Sequence, residues 1–168
     1  GHQKPNGFAD SVSLNLGGVT DQLSATITPE DDVFIKAELS PYDWVAAGVD
    51  YNGALRSAFL SKVDGTGICP VGFRVPTGSE LIADTTGADT DPIDNRASAF
   101  SSFLRMPAAG DRHYAYGRWE AYYARLLSSS ISIYFDYLAR EVFVWVDGAQ
   151  VGDVSQRARG TSVRCIQD

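Results

Sequence analysis

The stretch Ile68 to Glu80, ICPVGFRVPTGSE, carries the clearest local instruction in the chain. Thr77 and Glu80 stand at capping-box spacing, in which the threonine oxygen takes the glutamate's backbone N–H and the glutamate reaches back. A helix is therefore predicted just after Pro76, with Leu81 and Ile82 on its apolar face and Gly87 as its stop. The same stretch holds Cys69, and the chain's other cysteine, Cys165, lies in Gly160 to Asp168, GTSVRCIQD. Count and separation alone leave two readings, a disulfide of the kind that persists outside the cytosol or two buried thiols.

Downstream of that helix, TTGADTDPIDN forms an aspartate-rich loop, and a second helix is predicted around Asn95 to Met106. There Ala97, Phe100, Phe103 and Leu104 recur at helical spacing and Pro107 ends the run. The remainder reads as strand. Ile131, Ile133 and Phe135 alternate with polar or amphipathic neighbours, Val142, Val144 and Val146 do the same before Asp147-Gly148, and Val163 and Cys165 come last. Upstream, three period-two runs at residues 12–16, 23–28 and 33–39 argue strands, separated by Gly17-Gly18 and Pro29. From Ser40 to Gly67 the chain reads as irregular, with a turn at Asn52-Gly53 and with Trp44, Tyr51 and Phe59 as core anchors. The fold class expected is α+β, two helices interrupting a mostly antiparallel set of strands.

Composition narrows the partners. A chain of 168 residues buries roughly 70% of the surface its unfolded form exposes, enough to fold without a metal. Its net charge of −7 and scattered basic residues argue against nucleic acid, whose phosphates need clustered Lys and Arg. No apolar run approaches the roughly 18–20 residues of a membrane span. The chain opens on Gly1-His2-Gln3 and is expected to be a processed product.

ICPVGFRVPTGSEL resembles the CPxGWxxPxxxEW segment of the Fibrobacter succinogenes major paralogous domain family, and GTSVRCIQD resembles its GxSVRCVxD ending. YGRWEAYYARLLSSSISIYF is similar to the YWSSS region between them, with Glu120-Ala121 where the family has serines. The resemblance spans about residues 40–168 and implies a C-type-lectin-like fold, two helices on a twisted antiparallel sheet. It also implies a Cys69–Cys165 bridge, with Pro70 and Pro76 as fixed turns flanking Phe73 and Glu80 at the first helix. Residues 1–40 fall outside it and are expected to form a separate β extension for attachment or self-association, with the lectin-like domain at 41–168.

The family occurs in surface-exposed and secreted bacterial proteins and in phage tail-fibre tips, and the resemblance implies binding, not catalysis. The recognition surface is expected in the aromatic window Tyr114, Tyr116, Trp119, Tyr122 and Tyr123, joined by Tyr137, since rigid rings stack on sugars and anchor protein interfaces. Trp119 is weighed toward core packing, and one of the adjacent pair Tyr122 and Tyr123 is expected to face solvent. No cofactor is expected; the alternative is calcium at Asp89, Asp91 and Asp94, against which stands the absence of a Gly-bearing calcium loop and of Glu-Pro-Asn, Gln-Pro-Asp or Trp-Asn-Asp triplets. His113 beside Asp111 lacks any nucleophile motif, so no catalytic residue is expected. The function expected is an extracellular receptor-binding or adhesion module taking a glycan or surface protein. The alternative is a structural subunit of a filament or virion appendage.

Overall fold

The computed structural model describes residues 18–29, 33–132, 134–135 and 137–168. The strand predicted at 12–16 lies outside these residues. The architecture is α+β: among the described residues there are three short helices and several small sheets, the largest of which is a three-stranded antiparallel sheet.

The first pair of strands is parallel, β1 (Val19–Thr20) beside β2 (Phe34–Ile35). This differs from the antiparallel expectation and is far shorter than the alternation at 33–39, because Leu39 turns outward while Ile35 and Ala37 are buried. The run at 23–28 contributes a single bridge, Ser24 to Val45. Ile27, Ile35 and Ala37 pack with Trp44, Val45 and Ala158, so the described part of the N-terminal segment shares a core with residues from beyond position 40.

Helix α1 (Ala54–Leu60) stands where irregular chain was expected. Its start is disguised. Gly53 precedes it at φ 78° with no side-chain cap, and Asp50 takes the backbone N–H groups of Leu55 (2.9 Å) and Arg56 (3.1 Å) from outside the usual capping position. Trp44 is fully buried as expected, but Tyr51 is 65% exposed.

The Cys-Pro segment behaves as its residues predict. Strand β3 (Phe73–Arg74) leads into α2 (Gly78–Asp84), whose Thr77 and Glu80 form the complete capping box. The terminal segment returns as β9 (Ile166–Gln167), antiparallel to β3, and Cys69 and Cys165 are bonded (S–S 2.02 Å, Cα–Cα 5.8 Å). Arg74 holds the join together: its guanidinium grips Glu80 through two bonds (2.7 and 2.9 Å) and Asp168 through a third (2.6 Å).

Arg74, with the Thr77 N–H, holds the Glu80 carboxyl down at about 2. A carboxylate whose folded value is depressed stabilises the fold above its ordinary range and loses that contribution as pH falls. Unfolding titrations between pH 5 and pH 2 are expected to show a loss on the order of 1 kcal/mol after solvent screening. In Glu80→Gln that component is absent.

Helix α3 (Arg96–Ser101) is capped by Asn95 and ends before the predicted Met106. The chain then bends and turns at residues 102–104; Phe100 on the helix and Phe103 in the turn face solvent, while Ala99, Leu104 and Met106 are buried. A hairpin of β4 (Asp111–Arg112) and β5 (Trp119–Glu120) precedes the main sheet of β6 (Ala124–Ile131), β7 (Leu138–Trp145) and β8 (Gly148–Gln156). The alternation at 131–135 lies largely beyond β6, in the connection to β7, and the strand itself is ARLLSSSI. Its serines are compatible with burial because they are bonded: Ser128 Oγ donates to the Arg140 carbonyl and the Ser129 N–H to the Pro76 carbonyl, both at 2.8 Å. Leu127 N–H donates to Ser162, so both cysteine segments lie along β6 and cover its edge.

One face of this sheet, with Ala124, Leu126, Val142 and Val144, packs on Leu81 of α2, Ala99 of α3, Ile93, Leu104 and Met106. Around the disulfide, Leu60 of α1, Cys69, Val75 and Leu127 form a further cluster.

Candidate binding surface

The turn between β4 and β5, His113 to Arg118, is tight because Gly117 sits at φ 65° and its N–H donates to the His113 carbonyl (2.9 Å). A side chain there would also strike Val19, 2.8 Å from the position of a Cβ. This geometry stacks three rings. His113 lies between Tyr114 (centroids 4.5 Å apart, 25° between planes) and Tyr116 (4.8 Å, 14°). Arg159 lies over the Tyr114 ring at 5.4 Å and Arg118 over the Tyr116 ring at 5.2 Å.

Burial, aided by the Arg159 and Arg118 charges, keeps the His113 imidazole below its ordinary value, with Glu120 and Asp111 opposing. Its Nδ1 accepts the Ala115 N–H at 3.1 Å, which fixes a neutral ring in the stack.

From Tyr114 the rings continue edge-on to Tyr42 (5.5 Å), then to Tyr137 (6.3 Å) and on to Phe135 (5.4 Å). Tyr42 occupies the middle of this run at φ 58°, a left-handed conformation that costs a non-glycine residue about 1–3 kcal/mol and persists only where neighbours hold it. Both ends of the run are open, Tyr116 being 61% and Phe135 50% exposed, and Tyr134 beside Phe135 is 72% exposed.

The six rings singled out by the sequence therefore divide. Tyr114, Tyr116 and Tyr137 belong to one run, together with Tyr42, Phe135 and His113, which sequence reasoning did not select. Tyr123 lies elsewhere, tilted on Phe143 (5.2 Å), which continues to Trp145 across the second face of the main sheet. Trp119 is half-buried over Gly110, where a Cβ would come within 2.7 Å of its ring. Tyr122 is 73% exposed at φ 86°, its carbonyl taking a bond from Arg96. Of the two neighbours Tyr122 is thus the exposed one and Tyr123 is half-buried, the split being set by the left-handed bend at Tyr122.

Two buried ionic networks fix these surfaces in place. Beneath Phe143 the Arg125 guanidinium (3.9 Å from the ring) pairs with Asp111 and Glu141, and Arg159 reaches Asp111 (2.9 Å) and Glu120 (3.3 Å). Asp111 and Glu141 are wholly buried. Burial pushes the Glu141 carboxyl up, against the pull of Arg125. The second network joins Arg56 to Asp43 through two bonds (2.6 and 2.8 Å) and to Asp50 (2.7 Å), with Arg157 reaching Asp43 (3.3 Å). It locks α1 and the Tyr42 region to the end of β8.

The calcium alternative receives no support from the geometry. Asp89, Asp91 and Asp94 are exposed, and Asp94 Oδ1 accepts from Ser98 Oγ (2.8 Å) and Asn95 Nδ2 (2.7 Å) at the start of α3. Among the described residues no three His, Cys, Asp or Glu side chains are grouped to hold a metal ion. A cleft between α1 and the β6–β7 end of the sheet encloses about 40 Å³. That is well below the ~300–1,000 Å³ of sites that engulf a small molecule, so it admits a polar group and not a whole ligand.

Compared with protein-family profiles, curated proteins and solved structures, the chain gives no match.

Proposed function

We propose that this chain is an extracellular receptor-binding or adhesion module of C-type-lectin-like architecture, recognising a glycan or protein on a cell surface through the Tyr116-to-Phe135 ring run. The observation that carries the reading is that run itself: six rings in contact, open at both ends, on a scaffold fixed by two ionic networks. The lectin-like reading is supported by the β3–β9 closure with its disulfide and by two capped helices on one face of an antiparallel sheet. An outside location accords with the disulfide, and among the described residues no helix is long and apolar enough to cross a membrane.

Because Tyr114, His113 and Tyr116 turn their faces on one another, a ligand meets ring edges and phenol hydroxyls there, while Phe135 and Tyr134 offer apolar area. Aromatic residues are enriched among the few anchors that carry such interfaces, whose removal costs more than about 1 kcal/mol of binding. Tyr116→Ala and Phe135→Ala are each expected to weaken binding to a glycan array or to whole bacterial cells at least tenfold, with Tm unchanged and no effect of EDTA. Wild-type affinity in both variants would sink the reading.

A further inference from the structure

We propose that the cleft between α1 and the β6–β7 end of the sheet binds the carboxylate of an acidic sugar. This deepens the surface-recognition reading and rests on it for the ligand class. Its lining includes Gly53 and Ser57 of the α1 region, Ser130 and Ser132 at the end of β6, and Arg157. What is left unused there is hydrogen-bond donation. Ser130 Oγ already accepts from the Gly78 N–H (2.9 Å), and Ser132 Oγ from the N–H groups of Tyr134 (3.3 Å) and Phe135 (3.1 Å). Among the described residues neither hydroxyl has an acceptor for its own hydrogen.

Arg157 is 4% exposed. Its Nη1 binds Asp43 and the carbonyls of Asp50 and Tyr51, and its Nε meets the Leu138 carbonyl. Its Nη2, by contrast, has no hydrogen-bond acceptor among the described residues, and it lies 2.8 Å from where a Gly53 Cβ would stand, at the cleft wall. The Ser130 and Ser132 side chains and Arg157 line a space of about 40 Å³ that suits three or so heavy atoms, the size of a carboxylate. Burial and the neighbouring Arg56 charge hold the Arg157 guanidinium below its usual range, with Asp43 and Asp50 opposing, so an anion would relieve it. The rest of such a ligand must lie outside the cleft, where Ile131 (40% exposed) and Tyr51 (65%) supply apolar surface for a sugar ring.

The test is an NMR titration of the intact protein with sodium glucuronate, glucose, acetate and sulfate at constant ionic strength. Glucuronate is expected to shift the Ser130, Ser132 and Arg157 Nε signals saturably, acetate to shift them more weakly, and glucose not at all. Ser132→Ala, whose hydroxyl loss leaves the fold intact by Tm, is expected to weaken glucuronate about tenfold, the worth of one bond to a charged group. Glucose matching glucuronate, sulfate surpassing it, or no shift in the cleft with any anion overturns the proposal. Unweakened cell binding by both Tyr116→Ala and Phe135→Ala would end the ring-surface reading while leaving this titration standing.

Discussion

Replacing Cys69 and Cys165 together with alanine is expected to lower the free energy of unfolding by about 4 kcal/mol, read from guanidinium denaturation. The bridge closes a separation of 96 residues, and cross-linking ends so far apart removes a large share of the unfolded chain's freedom. Little else on the folded side replaces it. β3 and β9 pair through only two residues each, and the Arg74–Asp168 bond is half in water. Cys69 also fills space between Leu60, Val75 and Leu127, so alanine loses packing there as well. A loss below 1 kcal/mol would mean that the strand pair and Arg74 hold the closure without sulfur.

Arg125→Met is expected to cost about 3–5 kcal/mol, because it takes the described cationic partner from buried Glu141 and leaves buried Asp111 with Arg159. Glu141→Gln is the informative contrast. Burial favours the protonated acid, and Glu141 Oε2 has no hydrogen-bond partner among the described residues, so an amide of the same shape should cost less than about 1 kcal/mol. The sign of the pH dependence separates the two effects. A carboxyl whose folded value is raised contributes fully below its ordinary range and loses that contribution as pH rises through the folded value. Glu141→Gln should therefore flatten the decline of stability toward alkaline pH, while Arg125→Met is destabilised on both sides of neutrality. Equal losses in the two variants would show that the network acts through shape alone.

What could be read from the chain was mainly what is decided locally. Thr77 and Glu80 make their capping box within four residues, and the Val142–Val144 alternation needs only one buried face. Helix α1 was hidden because its cap comes from Asp50, beyond the positions a sequence pattern inspects, and because its inward face carries Arg56, which reads as surface until Asp43 and Asp50 surround it. Strand β6 was displaced for a related reason. ARLLSSSI buries an arginine and two serines through bonds to Glu141, Arg140 and Pro76, partners 12 to 53 residues away. The same logic governs the candidate surface: tyrosines announce themselves, but Tyr42 joins Tyr114 and Tyr137 only once the fold brings distant segments together.

The single covalent link between Cys69 and Cys165 also sets a mechanical path. Tension applied along the backbone outside those two residues crosses through sulfur and bypasses the main sheet, α2, α3 and most of the ring run. Roughly 340 Å of contour would stay hidden from a force applied outside the two cysteines until the bond is reduced, while the segment ahead of Cys69, which carries Tyr42 and α1, would bear the load directly.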